Sequence, residues 1–184
     1  MIVQSRIHRG FGNGAGEIGH MSIDIDGPSC NCGNYGCLET LSSGIAIKRR
    51  MQEEIRRGVE SSLSSFEAEA APITLKMIAQ HAQEGDRLAN DLLEEAARYL
   101  GLGVANVINL LAPDRVIFGG EVIDIYPQTI QTAEKIAKAR TFSPQTKNIP
   151  FIKSSFGEQS GLIGAAAIIQ QWVFDTPETT VMRV

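Results

Sequence analysis

The chain has 184 residues, 43% of them hydrophobic and 21% charged, with a formal net charge of -4, as expected of a globular protein long enough to bury one or two cores. A negative balance gives no general attraction to nucleic acid phosphates, so any DNA contact is expected to come from a domain outside this sequence. No apolar run reaches the roughly 18 residues needed to span a bilayer, and the opening MIVQSRIHRGFGNG lacks the charged head and apolar middle of a signal peptide. The expectation is a cytoplasmic protein with no membrane partner.

Residues 1 to 8 read as a short strand, 10 to 19 as a Gly-rich loop, and MSIDI at 21 to 25 alternates apolar and polar as a strand does. From Glu39 to about Arg57 the apolar residues recur at helical spacing, and Gly58 supplies a stop. The stretch 58 to 72, rich in Ser, Glu and Ala, reads as a surface crossing within one domain. A second helix follows, ITLKMIAQHAQEG, with Thr74 as its cap.

The longest helix is predicted from about Arg87 to Leu111, where Leu88, Leu92, Leu93, Ala96, Leu100, Val104, Val107, Ile108 and Leu111 keep a 3.6-residue period, and Pro113 ends it. DRVIFGG has the form of a buried parallel strand closed by Gly119 and Gly120. A helix is expected over 126 to 140, a strand at IPFIKSS, and a final helix at SGLIGAAAIIQQWVF. Strand and helix in alternation give an α/β fold. His8 and His81 read as surface or packing residues, Arg49 and Arg50 as a solvated helix face, and Trp172 as core or interface. The small-residue faces around 96 to 106 and 161 to 167 would allow close packing, within the chain or between copies.

Cys30, Cys32 and Cys37 carry the strongest chemistry in the sequence. Three thiols within eight positions suit a reducing compartment and a metal better than a disulfide framework, and Gly33 and Gly36 permit the tight path that brings them together. His20, ten positions before Cys30, can complete a Cys₃His tetrahedron if the chain returns beside the thiols, and such a closed site is structural rather than catalytic. Three unrelated free thiols are the bland reading. Glu17 and Glu39 flank the cluster. Held near a His they could accept hydrogen bonds from sugar hydroxyls. Read alone, Glu39 serves equally well as a helix-dipole partner and Glu17 as a solvated loop acid.

The segment AGEIGHMSIDIDGPSCNCGNYGCLET, residues 15 to 40, resembles the signature of the ROK family (repressor, open reading frame, kinase), and NLLAPDRVIFGGEV and GEQSGLIGAAAI resemble two Gly-bearing segments of its kinases. The resemblance implies the C-terminal lobe of an actin/hexokinase-like (ribonuclease H-like) fold over residues 1–184, with a structural zinc loop at 20–39 held by His20, Cys30, Cys32 and Cys37. It implies a sugar, a hexose by preference, contacted by Glu17, His20 and Glu39. It also implies a first lobe outside these residues, carrying the Asp-Gly-Gly phosphate loop and the general-base Asp. The chain by itself is therefore expected to be inert as a kinase. Pairing of copies through this lobe is a further implication.

Two parent proteins fit the resemblance. One is a sugar-responsive repressor whose DNA-binding helices precede this lobe. The other is an ATP- and Mg²⁺-dependent hexose kinase that uses Gly119 and Gly120 at the nucleotide, although two adjacent glycines also suit a plain strand-to-loop turn. Glu121 stands where the kinases carry a third glycine, and a charge there is ill placed against a polyphosphate, which favours the repressor. A third reading is a zinc module with no ligand.

Overall fold

The computed structural model describes residues 1–4, 6–69 and 71–175, except for the side chains of Ala68, Glu158, Trp172 and Asp175. The expectation for Trp172 therefore lies outside the described residues. The chain is α/β, with helices predominating. In order come β1 (Ile2–Val3), β2 (Arg6–Ile7), α1 (Leu38–Ser42), α2 (Gly44–Arg56), α3 (Ser64–Ala68), α4 (Leu75–Gln83), α5 (Arg87–Leu111), β3 (Val116–Phe118), α6 (Glu121–Ile125), α7 (Gln128–Arg140), β4 (Phe151–Lys153) and α8 (Ser160–Asp175).

Helix α5 is the axis. Its 25 residues are capped by Asp86, which accepts from the Ala89 N–H at 2.8 Å, and they end where Ala112 turns left-handed just before Pro113. Its first half buries Leu88, Leu92, Leu93 and Ala96 against Met51 of α2 and Leu75 and Ile78 of α4. Its second half buries Val104, Ala105 and Ile108 with Phe118, Ile123 and Ala137, so one helix joins two apolar clusters. The small face expected at 96 to 106 is used inside the chain. A Cβ at Gly101 would come within 2.7 Å of the Ala133 carbonyl oxygen on α7, and one at Gly103 within 2.5 Å of the Leu38 side chain.

The strands β3 and β4 pair in parallel, Val116 with Phe151, Ile117 with Ile152 and Phe118 with Lys153. One face is packed, with Phe118 in the core and its ring stacked on Phe151 at 5.8 Å, while Ile117 on the other face is exposed. On the face of α8 expected to pack through small residues, nothing among the described residues lies near Gly161 or Gly164.

Several predicted elements differ. The strand expected over 1 to 8 is a small antiparallel hairpin, Ile2 opposite Ile7. Residues 21 to 25 form no strand: the Ile23 and Asp24 N–H groups both donate to the Gly36 carbonyl, and a turn then closes with Gly27 N–H donating to Asp24 O. The Asp24 side chain accepts from the Asp26 N–H at 3.1 Å, so turn chemistry overrides the alternation. The helix expected from Glu39 is broken at Ser43, whose extended backbone and hydroxyl cap α2 by accepting from Ala46 N–H.

The stretch 58 to 72 is more than a surface crossing. It carries α3, drives Leu63 wholly into the core, and is pinned where Ser61 and Ser62 donate to Asp86. His81 packs there as expected, 2.6 Å from Ser62 Oγ and edge-on to Phe66. The face carrying Arg49 and Arg50 is not simply solvated, since Arg50 meets Glu95 of α5 at 2.8 Å and Arg49 reaches the Thr40 carbonyl.

The two glycine environments predict opposite signs. Gly101→Ala should lower stability by about 1–3 kcal/mol because the methyl group meets α7 backbone. Gly164→Ala should raise it by roughly 0.5–1 kcal/mol through helix propensity alone. Urea unfolding of both variants checks this; a gain at Gly101 would mean that α5 and α7 are not in close contact.

Candidate metal and ligand site

The site is built on two crossing segments. Gly36 has φ of +58°, and any Cβ there would overlap the Asp24 carbonyl oxygen, so only glycine lets the two strands of chain cross. Around that crossing Leu38 N–H donates to Met21 O at 2.9 Å, and Cys30 N–H to Asn34 O and Gly36 N–H to Pro28 O, each at 2.8 Å. Residues 28–36 thus fold into a tight loop whose outer end is the Cys30 to Gly33 turn.

The crossing delivers four donor atoms to one place. One ligand atom each from His20, Cys30, Cys32 and Cys37 lies within 4.8 Å of the others, the one such group among the described residues. Cys32 Sγ is 3.6 Å from Cys37 Sγ, and His20 Nδ1 is 3.7 Å from Cys30 Sγ. A tetrahedral ion with metal–sulfur bonds of about 2.3 Å requires sulfur–sulfur edges of roughly 3.7 Å, so the donor set fits a four-coordinate metal with no position left open. Cys30 and Cys37 are buried, His20 is half-buried and Cys32 is exposed.

Without an ion these thiols polarise one another. The Asn34 backbone N–H, helped by Cys30, Cys37 and the charge of His20 and opposed by burial, draws the Cys32 thiol down to about 7 from the ordinary 9.0. Burial, reinforced by the neighbouring Cys32 and Cys30 thiols, pushes Cys37 up to about 12.

Glu17 and Glu39 converge on the same turn. His20 N–H donates to the Glu17 carbonyl at 3.1 Å, closing the 3-10 turn Ile18–His20. Glu39, in the first turn of α1, leans over Gly19: a Cβ at that glycine would stand 3.6 Å from Glu39 Cβ and 3.8 Å from its Oε2. Both carboxylates are exposed. Gly119 and Gly120 stand apart, between β3 and α6, where Gly120 has φ of +106°. The Glu121 carboxylate turns to the start of α2, 3.4 Å from the place a Cβ on Gly44 would take.

Sequence reasoning overlooked the supports. Asn34 tunes Cys32 through its backbone, and Leu38 wedges the loop onto Gly103; a main-chain contact and a close approach across 65 positions leave no pattern in the sequence. The Asp86 network could have been found, since Asp just before a long apolar period is a cap signal.

Comparison with known proteins places this geometry. The ROK family pattern matches residues 1–172. The N-acetylglucosamine repressor of Escherichia coli O6:H1 is 30% identical over 171 residues, covering 93% of this chain and 41% of the repressor. The chain therefore spans less than half the length of that relative. Among solved structures, a ROK family transcriptional regulator described as a homolog of the E. coli MLC protein superposes with a TM-score of 0.77 at 34% identity, covering 90% of this chain and 41% of its own. A ROK family glucokinase from Streptomyces griseus, in complex with glucose and AMPPNP, gives 0.79 at 28%, covering 92% and 56%.

The thiol environments set a pH dependence for the metal-free chain. Cys32 ionises more readily folded than unfolded, so its contribution to stability is complete above 9.0 and lost as pH falls through about 7. Cys37 is the reverse: its contribution is complete below 9.0 and lost as pH rises towards about 12. Iodoacetamide labelling followed by mass spectrometry should show Cys32 reacting with a midpoint near pH 7 and Cys37 inert at pH 8. Equal labelling of both at pH 8 contradicts the assignment.

Proposed function

The chain belongs to the ROK family, and from that premise we propose that it is the effector-binding part of a sugar-responsive transcriptional repressor, with a structural zinc ion shaping the sugar-recognising turn. The observation that carries the reading is the convergence of His20, Cys30, Cys32 and Cys37 beside Glu17 and Glu39. Three thiolates and an imidazole are a zinc donor set, and four protein ligands close the coordination sphere. When bound, zinc supplies a fixed cross-link between the turn and the loop, and no reactive water.

The residues then divide the work. His20 presents Nδ1 to the thiols, which leaves Nε2 for a sugar hydroxyl. Glu17 and Glu39 accept hydroxyl protons, the role for which an ionised carboxylate is equipped. Their exposure in this chain agrees with a cleft completed by a further lobe, residues 1–184 being the C-terminal lobe of the whole. DNA contact belongs to a domain outside this sequence, consistent with its net charge of -4.

The likeness to a glucokinase supports a second reading, the C-terminal lobe of an ATP-dependent hexose kinase, with Gly119 and Gly120 at the nucleotide. Glu121 weighs against it: a carboxylate in the first turn after Gly120 repels a polyphosphate at that place. The repressor likeness, at 34% identity in structure and 30% in sequence, weighs the same way.

Elemental analysis of the purified chain should find one zinc ion per chain, absent from Cys32→Ser. Well-folded protein with far less zinc, prepared without chelator, would remove the metal from the reading. Calorimetry with glucose and N-acetylglucosamine should detect weak binding to the zinc-loaded chain, and Glu17→Gln or Glu39→Gln should each weaken it about tenfold or more, a charge-assisted hydrogen bond being worth roughly 1.5–3 kcal/mol. A sugar that binds the wild type and both variants equally excludes the carboxylates. Zinc without any sugar response leaves the ligand-free module.

A further inference from the structure

The four-atom cluster holds a second chemistry besides metal binding. Cys32 is the one exposed thiol of the three, at the outer end of the loop, and Cys37 lies fully buried beneath it with the two sulfurs 3.6 Å apart. An exposed thiol that meets the oxidant and a buried one that resolves the product are the two parts of an oxidation site.

We propose that the metal-free cluster is a thiol oxidation site at which a hydroperoxide joins Cys32 to Cys37 in a disulfide that excludes the metal. The Cys32 thiolate attacks one oxygen of the hydroperoxide; an S–O bond forms, the O–O bond breaks, and the departing alkoxide leaves as an alcohol after taking a proton. Cys37 then attacks Cys32 Sγ, forming the S–S bond and breaking S–O, and the hydroxide leaves as water with the Cys37 proton. Two thiols lose two electrons and two hydrogens, and one hydroperoxide is reduced.

Cys30 stays outside the pair for two geometric reasons. Its sulfur is turned to His20 Nδ1 at 3.7 Å. It is also separated from Cys32 by Asn31 alone, a spacing that cannot easily reach the Cβ separation and torsion of an unstrained disulfide. The four residues from Gly33 to Gly36, with φ of +93° and +58° at their ends, already fold back to bring Cys32 and Cys37 together. Metal and disulfide compete for the same sulfurs, so each state forbids the other. The consequence reaches the ligand turn. Oxidation removes two of the four donors that would tie His20 to the loop, and His20 shares its turn with Glu17.

The test uses the full chain stripped of metal with a chelator, then treated with one equivalent of hydrogen peroxide and alkylated. The mass should fall by two hydrogens before alkylation. Chymotryptic cleavage at the exposed Tyr35, which separates Cys37 from Cys30 and Cys32, should yield peptides joined through Cys37, with the alkyl group on Cys30. Zinc uptake by the oxidised chain should fall roughly tenfold or more against the reduced chain and return on reduction. Cys30→Ser should still lose two hydrogens, and Cys37→Ser should stop at a sulfenic acid that a 1,3-diketone traps. A Cys30–Cys32 or Cys30–Cys37 linkage, progress to sulfinic acid without loss of two hydrogens, or loss of disulfide formation in folded Cys30→Ser overturns the proposal. The disulfide rests on the thiols alone. A reduced chain that takes up no zinc counts against the metal reading, while the peptide masses still decide the disulfide.

Discussion

Everything at the candidate site depends on the crossing at Gly36, where a chain turning at Asp24 passes in contact with the chain that leads into α1. Backbone hydrogen bonds from Ile23, Asp24 and Leu38 lock that crossing. It sets His20 on one side and Cys37 on the other within ligand distance. A side chain at residue 36 would separate the segments, and the donor set, the Glu17 turn and the start of α1 would all lose their common reference. The crossing is in turn fastened to the body of the fold. Leu38 follows Cys37 directly, is buried, and fills the gap left by Gly103 on α5. Position 37 is therefore a hinge between metal chemistry and core packing.

This attachment explains why a closed metal site would suit the proposed binding lobe. The loop has few buried apolar side chains of its own between residues 21 and 36, so a cross-link must replace hydrophobic burial as the source of order. Four ligands from two segments would supply it around a metal ion. The arrangement is conditional, because burial and the neighbouring thiols disfavour the Cys37 anion where no cation is at hand.

What the sequence made legible follows from which forces act locally. The long apolar period of α5 and the Thr74 cap of α4 were readable because periodicity and capping reside in neighbouring residues. So were the strands β3 and β4, though not their pairing, and so was the grouping of the four donors, since their spacing is itself the signal. The strand expected at 21 to 25 failed for a local reason that was misjudged: Asp24, Asp26 and Gly27 are turn formers, and their preference outweighs a short alternation. Ser43 was a cap concealed inside an apolar period. Leu63, by contrast, sits in a Ser- and Glu-rich stretch whose composition reads as solvent, and only the tertiary contact between α2, α4 and α5 creates the place it fills.

Glu121 brings the two halves of the molecule into one electrostatic account. It opens α6 after the left-handed Gly120, and its carboxylate lies over Gly44, at the amino end of the 13-residue α2. A helix amino terminus carries a partial positive charge and attracts an anion. Here the protein's own carboxylate stands beside that terminus. An incoming phosphate at the α2 terminus would meet this negative charge. Nothing comparable opposes a neutral sugar near Glu17 and Glu39, whose carboxylates stay exposed and available to hydroxyls. The charge distribution thus sets the exposed carboxylates of Glu17 and Glu39 apart from the Glu121 carboxylate at the α2 terminus, and the proposed sugar-sensing reading rests on that asymmetry.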